Sequence, residues 1–219
     1  MRSVRVVLFD LDGVLVESRE ATERVWRDWA VMKGIDEAEL LSVMHGVQSV
    51  EVIRALRPEL DAVAESEAIE QRQAEDVDGL RAIPGAAEAL GAVREDRVAV
   101  VTSATRPLAE ARLGAVGLRA PAVMVFAGDV ERGKPDPEGY LTAARRLGVD
   151  PAEAVVIEDS PPGIEAGRAA GAATVGVTST HAAAELAAAD VVIGTLEELP
   201  RVLAREFEAS GVLRANDGH

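Results

Sequence analysis

Short apolar runs rich in β-branched residues recur along the chain at Arg5–Asp10 (RVVLFD), Val98–Thr102, Val123–Phe126, Ala154–Glu158, Ala173–Val177 and Asp190–Ile193. An unbroken apolar run has no polar face, so each predicts a strand buried on both sides. Five of the six follow a helix-forming segment, and Pro107–Val116, Pro137–Leu147 and Ile164–Ala170 have helical periodicity entered by Pro or Gly. Strand alternating with helix predicts the α/β class: a doubly wound parallel sheet covered on both faces. Such sheets bind ligands just beyond the carboxyl ends of their strands, and the residues ending each run become the first candidates for function.

One stretch breaks the alternation. From Glu17 to Ile83 the sequence is charged and helix-forming, with no strand-like run, and the alternating pattern resumes at Pro84-Gly85. The expected organisation is an α/β core of residues 1–16 and 84–219 with an inserted α-helical domain, 17–83, lying over the strand ends as a cap. A chain of 219 residues has enough surface to bury for such a core and a small insert. Trp26 and Trp29, three apart, share a face of the insert's first helix, either as its core or as a contact to substrate.

Composition narrows the function classes. Lys+Arg 23 against Asp+Glu 38 gives a net charge of -15, with no basic cluster to track a phosphate backbone, so nucleic acid is not an expected partner. The first apolar run is too short for a signal segment or a membrane span and ends in acid, so no membrane partner is expected either. The absence of cysteine excludes disulfides, thiolate zinc sites and cysteine nucleophiles, and fits a cytoplasmic location. A monomer or weak homodimer is expected. An overall negative field repels anionic substrates, so affinity for phosphate must come from local cations, backbone amides or a metal.

Asp10 and Asp12 lie two apart at the end of the first strand, where their side chains reach the same side. One carboxylate can attack phosphorus while the other donates a proton to the leaving oxygen and then activates water. The same D-x-D-G also suits a turn in which the acids cap amides; a calcium loop fits poorly, since a strand precedes it and the third acid is missing. A second acidic pair, Glu158-Asp159, tops another strand. With Asp10 it would gather three carboxylates, a group that needs a hard divalent cation such as Mg²⁺. Ser103, with the amide of Ala104, ends the strand at Thr102 and can hold a phosphoryl oxygen or simply cap the next helix. Lys134, fixed between Gly133 and Pro135, can bind phosphate and balance the acids, or be a solvated lysine. Gly128 to Lys134 has phosphate-loop spacing, but Pro135 stands where a metal-binding hydroxyl would be required. In the insert, His45 and Gly46 suggest a loop able to approach substrate, or a surface histidine at a helix end; His181, read as opening a helix, and His219 are expected to be bystanders.

Together FDLDGVL, VVTSATR, GKPDP and VIEDSPPGIEAG resemble the four motifs of the haloacid dehalogenase superfamily in their usual order and spacing. The insert resembles the small helical cap of its β-phosphoglucomutase and phosphatase branch. The resemblance implies that Asp10 becomes the phospho-aspartate, Asp12 serves as general acid and base, and Ser103 and Lys134 bind the phosphoryl group. It implies magnesium held by Asp10, the Asp12 carbonyl and Asp159, with Glu158 helping directly or through water. The activity so implied is magnesium-dependent hydrolysis of a small phosphorylated metabolite, a sugar phosphate or a polyol phosphate such as glycerol phosphate. Two departures bear on this. Val14 stands where many phosphatases of the family have Thr, as in several mutases, which keeps a phosphomutase open; and near His45-Gly46, Ser49 stands where an Arg would grip a second phosphate. A non-catalytic phosphometabolite-binding protein is the third alternative.

Overall fold

A computed structural model of the chain describes residues 2–44, 47–209 and 211–214. β1 (Arg2–Ser3) leads into β2 (Val6–Phe9), and after a tight loop β3 (Val16–Glu17) opens a helical stretch. That stretch comprises α1 (Arg19–Lys33), α2 (Glu37–Leu41), α3 (Ser49–Leu56) and α4 (Ala62–Glu75), closed by β4 (Arg81–Ala82). The alternating part follows with α5 (Ala86–Ala92), β5 (Val98–Val101), α6 (Arg106–Ala115), β6 (Val123–Val125), α7 (Glu138–Leu147), β7 (Ala154–Glu158) and α8 (Pro161–Ala169). It ends with β8 (Ala173–Val177), β9 (Val191–Ile193), α9 (Leu199–Glu206) and β10 (Phe207–Glu208).

The main sheet has the order β6-β5-β2-β7-β8-β9, every pair parallel. The chain starts in the middle at β2, builds outward through β5 and β6, then crosses back to β7 and builds the other way. The direction of winding therefore reverses between β2 and β7, and a doubly wound sheet opens its ligand crevice at such a reversal. Phe9 pairs with Ile157 across this point, so the next residues, Asp10 and Glu158, emerge side by side. The α/β class read from the alternation is the fold observed.

Why the strands carry no polar face is visible in their packing. Val7 and Phe9 enter the apolar cluster on one face of the sheet, while Val6 and Leu8 enter the cluster on the other. The helical stretch has an apolar cluster of its own that includes Trp26, Trp29, Leu40, Ile53 and Ile69. The two indoles meet edge to face, with ring centroids 5.4 Å apart. Trp29 donates to Glu65 at 2.7 Å, and Lys33 pairs with the same carboxylate. Trp29 thus belongs to the core of the helices, whereas Trp26, buried beside it, also borders the cavity described below.

Three features depart from the sequence reading. The stretch expected to hold no strand is bounded by a two-residue antiparallel ribbon, Val16 against Ala82 and Glu17 against Arg81, which is too short to leave a periodic signal. Helix α8 starts at Pro161, not Ile164, because Pro161 and Pro162 fill a first turn whose N–H groups have no intrahelical acceptor anyway; Ser160 caps it, its hydroxyl oxygen accepting from the Gly163 amide at 3.2 Å. His181 lies in a bend and opens no helix. Among the described residues no helix is long and apolar enough to cross a membrane.

Candidate active site

β2 and β7 deliver three acids to one place. Oxygens of Asp10, Glu158 and Asp159 lie within 4.8 Å of one another, and all three residues are buried. Lys134, on the loop before α7 and joined to Pro135 by a cis peptide, places Nζ 2.5 Å from Asp10 Oδ1 and 2.6 Å from Glu158 Oε1. Three carboxyls against one ammonium would leave two negative charges in a buried space if all were ionised. Burial, then the charges of Glu158 and Asp12, push the Asp10 carboxyl up to about 7 against the pull of Lys134. Burial and the charge of Glu158 also raise Asp159 well above the ordinary range.

Glu158 behaves differently because its donors outweigh its burial. Its Oε1 accepts from Lys134 and from the Tyr140 hydroxyl at 2.9 Å, and its Oε2 accepts from the Asp159 amide, the Ser160 amide and the Ser160 hydroxyl at 3.0, 3.1 and 2.9 Å. Although burial alone would raise it, this set, led by Lys134, holds Glu158 below the usual carboxylate value. Glu158 is thereby an anchor for Lys134. Among the described residues no hydrogen bond falls on Asp10 Oδ2 or Asp159 Oδ1, while Asp159 Oδ2 accepts from Thr180. The donor set suits a hard divalent cation: carboxylate oxygens, close together, with two charges uncompensated.

Two glycines are required by this crowding. Gly13 has φ +82°, and a Cβ there would overlap the Asp159 carboxylate; a Cβ at Gly163, in the first turn of α8, would overlap the carboxylate of Glu158. Gly163→Ala must therefore displace Glu158 from its donors. The expected result is a loss of about 2–4 kcal/mol in urea unfolding, with impaired turnover, since both overpacking and an exposed buried charge contribute.

A cavity of about 130 Å³ opens over these acids. Asp10, Asp12, Ser103, Ala104, Lys134 and Asp159 all line it, so the sequence candidates from four separate segments converge. Glu158 lies beneath, fully buried. The Ala104 amide, expected to be available to a phosphoryl oxygen, instead donates to the Thr102 hydroxyl at 3.1 Å. The Asp12 carboxylate is not part of the three-acid cluster: Oδ1 accepts from Ser18 at 2.6 Å and Oδ2 pairs with Arg112 at 2.5 Å. His45 and Gly46 lie outside the described residues.

Sequence reasoning missed several residues here. Arg112 is the most consequential, and its signal was present: with Leu108, Ala109 and Leu113 it occupies the buried stripe of α6, where a charged residue needs a partner. His181 also lines the cavity, its Nδ1 2.9 Å from the Asp159 carbonyl oxygen. Val14, the departure that kept a mutase open, packs into the main apolar cluster beneath the sheet ends.

A doubly wound sheet with clustered carboxylates and a lysine at its winding reversal defines an α/β enzyme whose acids could hold a metal ion. The chain belongs to the haloacid dehalogenase-like hydrolases, whose family model matches residues 4–171. It is 40% identical over 197 residues to hexitol phosphatase A of Escherichia coli (strain K12), covering 88% of this chain and 91% of that one. It is 35% identical over 192 residues to glycerol-1-phosphate phosphohydrolase 2 of Saccharomyces cerevisiae, covering 81% of this chain and 76% of the relative. Among solved structures, CbbY from Rhodobacter sphaeroides in complex with phosphate superposes with a TM-score of 0.76 at 26% identity, covering 90% of this chain and 96% of that one. β-Phosphoglucomutase from Clostridium difficile has the same fold, with a TM-score of 0.80 at 23% identity and coverage of 93% and 96%.

Proposed function

We propose that this enzyme is a phosphatase of small phosphorylated sugars or polyols, with Asp10 as nucleophile and Mg²⁺ held by Asp10, Asp159 and the Asp12 carbonyl. The observation that carries the reading is the placement of Asp10 beside Lys134 and Asp159 at the reversal of the sheet, with Oδ2 outside the hydrogen bonds. Asp10 Oδ2 attacks phosphorus and the ester P–O bond breaks; Asp12, which first parts from Arg112 and takes up a proton from solvent, gives that proton to the departing alkoxide. Asp12, now a carboxylate, takes a proton from water; that water attacks the aspartyl phosphate, releasing inorganic phosphate and restoring Asp10. Lys134 and Ser103 bind the phosphoryl oxygens, and Lys134 keeps Asp10 oriented through the pair at 2.5 Å. The bound cation offsets the negative charge shared by the acids and the phosphoryl group.

In this reading residues 17–83 form the cap, which shields the reaction from bulk water and chooses the alcohol. The two relatives above are named for hexitol and for glycerol 1-phosphate, and they support a polyol or sugar phosphate as the substrate class. The test is phosphate release from hexitol 6-phosphates, glycerol phosphate and hexose phosphates with Mg²⁺ and with a chelator. Turnover of at least one ester, lost on chelation, is expected; no release from any, or release indifferent to chelation, overturns the reading.

The charge imbalance also predicts how stability responds to pH. Asp10 is raised from 3.8 in the unfolded chain to about 7 when folded, so between those values the folded state holds the extra proton. Metal-free protein should therefore lose stability as pH rises from about 4 to about 7. Added Mg²⁺ should raise the melting temperature more at pH 8 than at pH 5, because it binds the ionised carboxylates. Thermal melts at the two pH values check this, and an equal shift at both contradicts it.

A further inference from the structure

The cavity has a second polar wall, away from the three-acid cluster. Glu70 and Gln73 lie three apart on α4, hence on one face of it; both line the cavity, and they are only 5% and 6% exposed. Glu70 Oε2 accepts from the Thr105 amide at 3.1 Å, and Oε1 has only a long contact from the Ser66 hydroxyl at 3.4 Å. The cations around the cavity are committed elsewhere: Lys134 to Asp10 and Glu158, Arg112 to Asp12, and the exposed Arg19 to the Thr180 carbonyl at 3.1 Å. Among the described residues Glu70 therefore has no cation. Gln73 Oε1 accepts from Arg112 at 2.7 Å, while its Nε2 has no partner among the described residues. Every side-chain nitrogen or oxygen sealed from solvent among those residues does have a partner, so Nε2 is one of the atoms Gln73 still exposes, and it opens on the cavity.

Resting on the phosphatase reading for its chemistry, we propose that Glu70 and Gln73 determine specificity: they select an uncharged, hydroxyl-bearing alcohol, and Glu70 turns away esters that carry a second anionic group. The alcohol departs on the side of Asp12, and Arg112 spans from Asp12 to Gln73, so this wall lies within one guanidinium of the leaving oxygen. Gln73 Nε2 donates to a hydroxyl oxygen and Glu70 Oε1 accepts a hydroxyl proton, which together match what a diol offers. Trp26, Met44 and Leu108 line the same cavity and pack against the C–H surface of the alcohol. A carboxylate or a second phosphate in that place meets a buried negative charge with no cation to offset it, and like charges so placed repel strongly where water is scarce. The same repulsion sets the cavity against a bisphosphate. Glu70 also has a structural task, since Thr105 caps α6 with no side-chain bond and the Glu70 carboxylate takes its amide instead.

The test uses pairs of esters that differ only in whether the far hydroxymethyl group has been oxidised to a carboxylate: glucitol 6-phosphate against gluconate 6-phosphate, and glycerol phosphate against glycerate 3-phosphate. The pair whose polyol member wild type hydrolyses faster is followed in Glu70→Gln and Gln73→Glu with Mg²⁺ present. Wild type should favour the polyol by about 100-fold or more in kcat/KM, and Glu70→Gln should cut that ratio by about 10-fold or more, because its amide still serves Thr105 but carries no charge. Gln73→Glu keeps an oxygen for Arg112 and adds a charge to the same wall, so it should raise the ratio by about threefold or more. A purely structural role would lower both esters equally in each variant. An unchanged ratio in Glu70→Gln, or a wild-type ratio near one, overturns the proposal; if Glu70→Gln does not fold, a ratio in Gln73→Glu that fails to rise overturns it.

Calorimetric binding supplies a readout that needs no turnover. A wild-type protein that cleaves none of the four esters would refute the phosphatase reading, and their dissociation constants in wild type, Glu70→Gln and Gln73→Glu would then decide the selectivity separately. Tighter binding of the polyol member, with the preference reduced by Glu70→Gln, supports the assignment of Glu70 and Gln73; equal binding of both members, or binding of neither, overturns it.

Discussion

Asp10→Asn should release no measurable phosphate from any ester the wild type hydrolyses, a fall of about 10⁴-fold or more, and yet melt at or above the wild-type temperature. The carboxamide has no anionic oxygen with which to attack phosphorus. The substitution also removes one negative charge from a buried group that carries three acids and one lysine. Loss of activity with gain of stability is the signature of a functional charge kept at a structural cost. Phosphate release and thermal melts in metal-free buffer check both halves. Turnover within tenfold of wild type would remove Asp10 from the chemistry, and a melting temperature lowered by several degrees would show that the charge is not in excess.

Lys134→Met has the opposite expected effect on stability. Lys134 is buried between Asp10 and Glu158, and burial, which would lower it, is outweighed by those two carboxylates, so it remains firmly charged. A methionine of similar length leaves Glu158 buried without its main partner, and truncating one side of such a pair costs about 3–5 kcal/mol. Urea unfolding measures that loss. Adding Glu158→Gln in the same chain should recover part of it, because the amide no longer asks for a cation; a double variant no more stable than Lys134→Met would show that the two residues do not act as a pair. Phosphate release should be lost in both variants, since neither can hold a phosphoryl oxygen at that position.

Much of this was legible in the chain. The runs at Val98, Ala154 and Ala173 became strands β5, β7 and β8 within a residue of their expected ends, because a strand buried on both faces writes its burial into every position. The acid pairs were legible for a related reason: a carboxylate placed directly after such a run has nowhere to go but the sheet's end. What stayed hidden depended on contacts between distant segments. The Val16–Ala82 ribbon is too short to carry a period, and β1 with β10 joins the two ends of the described chain through two residue pairs. Arg112 looked like any helical arginine until Asp12, 100 positions earlier, was seen to lie against it. The Ala104 amide looked available because its acceptor, the Thr102 hydroxyl, is a local choice that spacing does not reveal.

The β3–β4 ribbon has a consequence for how such a chain can change. Because Val16 and Ala82 are direct partners, everything between them departs from and returns to a single point on the molecule. A segment with adjacent ends can be lengthened, shortened or exchanged for another without moving a strand of the main sheet, since closing a longer excursion adds only about 0.6 kcal/mol per doubling. On the proposed reading of this segment as the part that chooses the alcohol, new specificities can be transplanted at one suture while the machinery below is left intact.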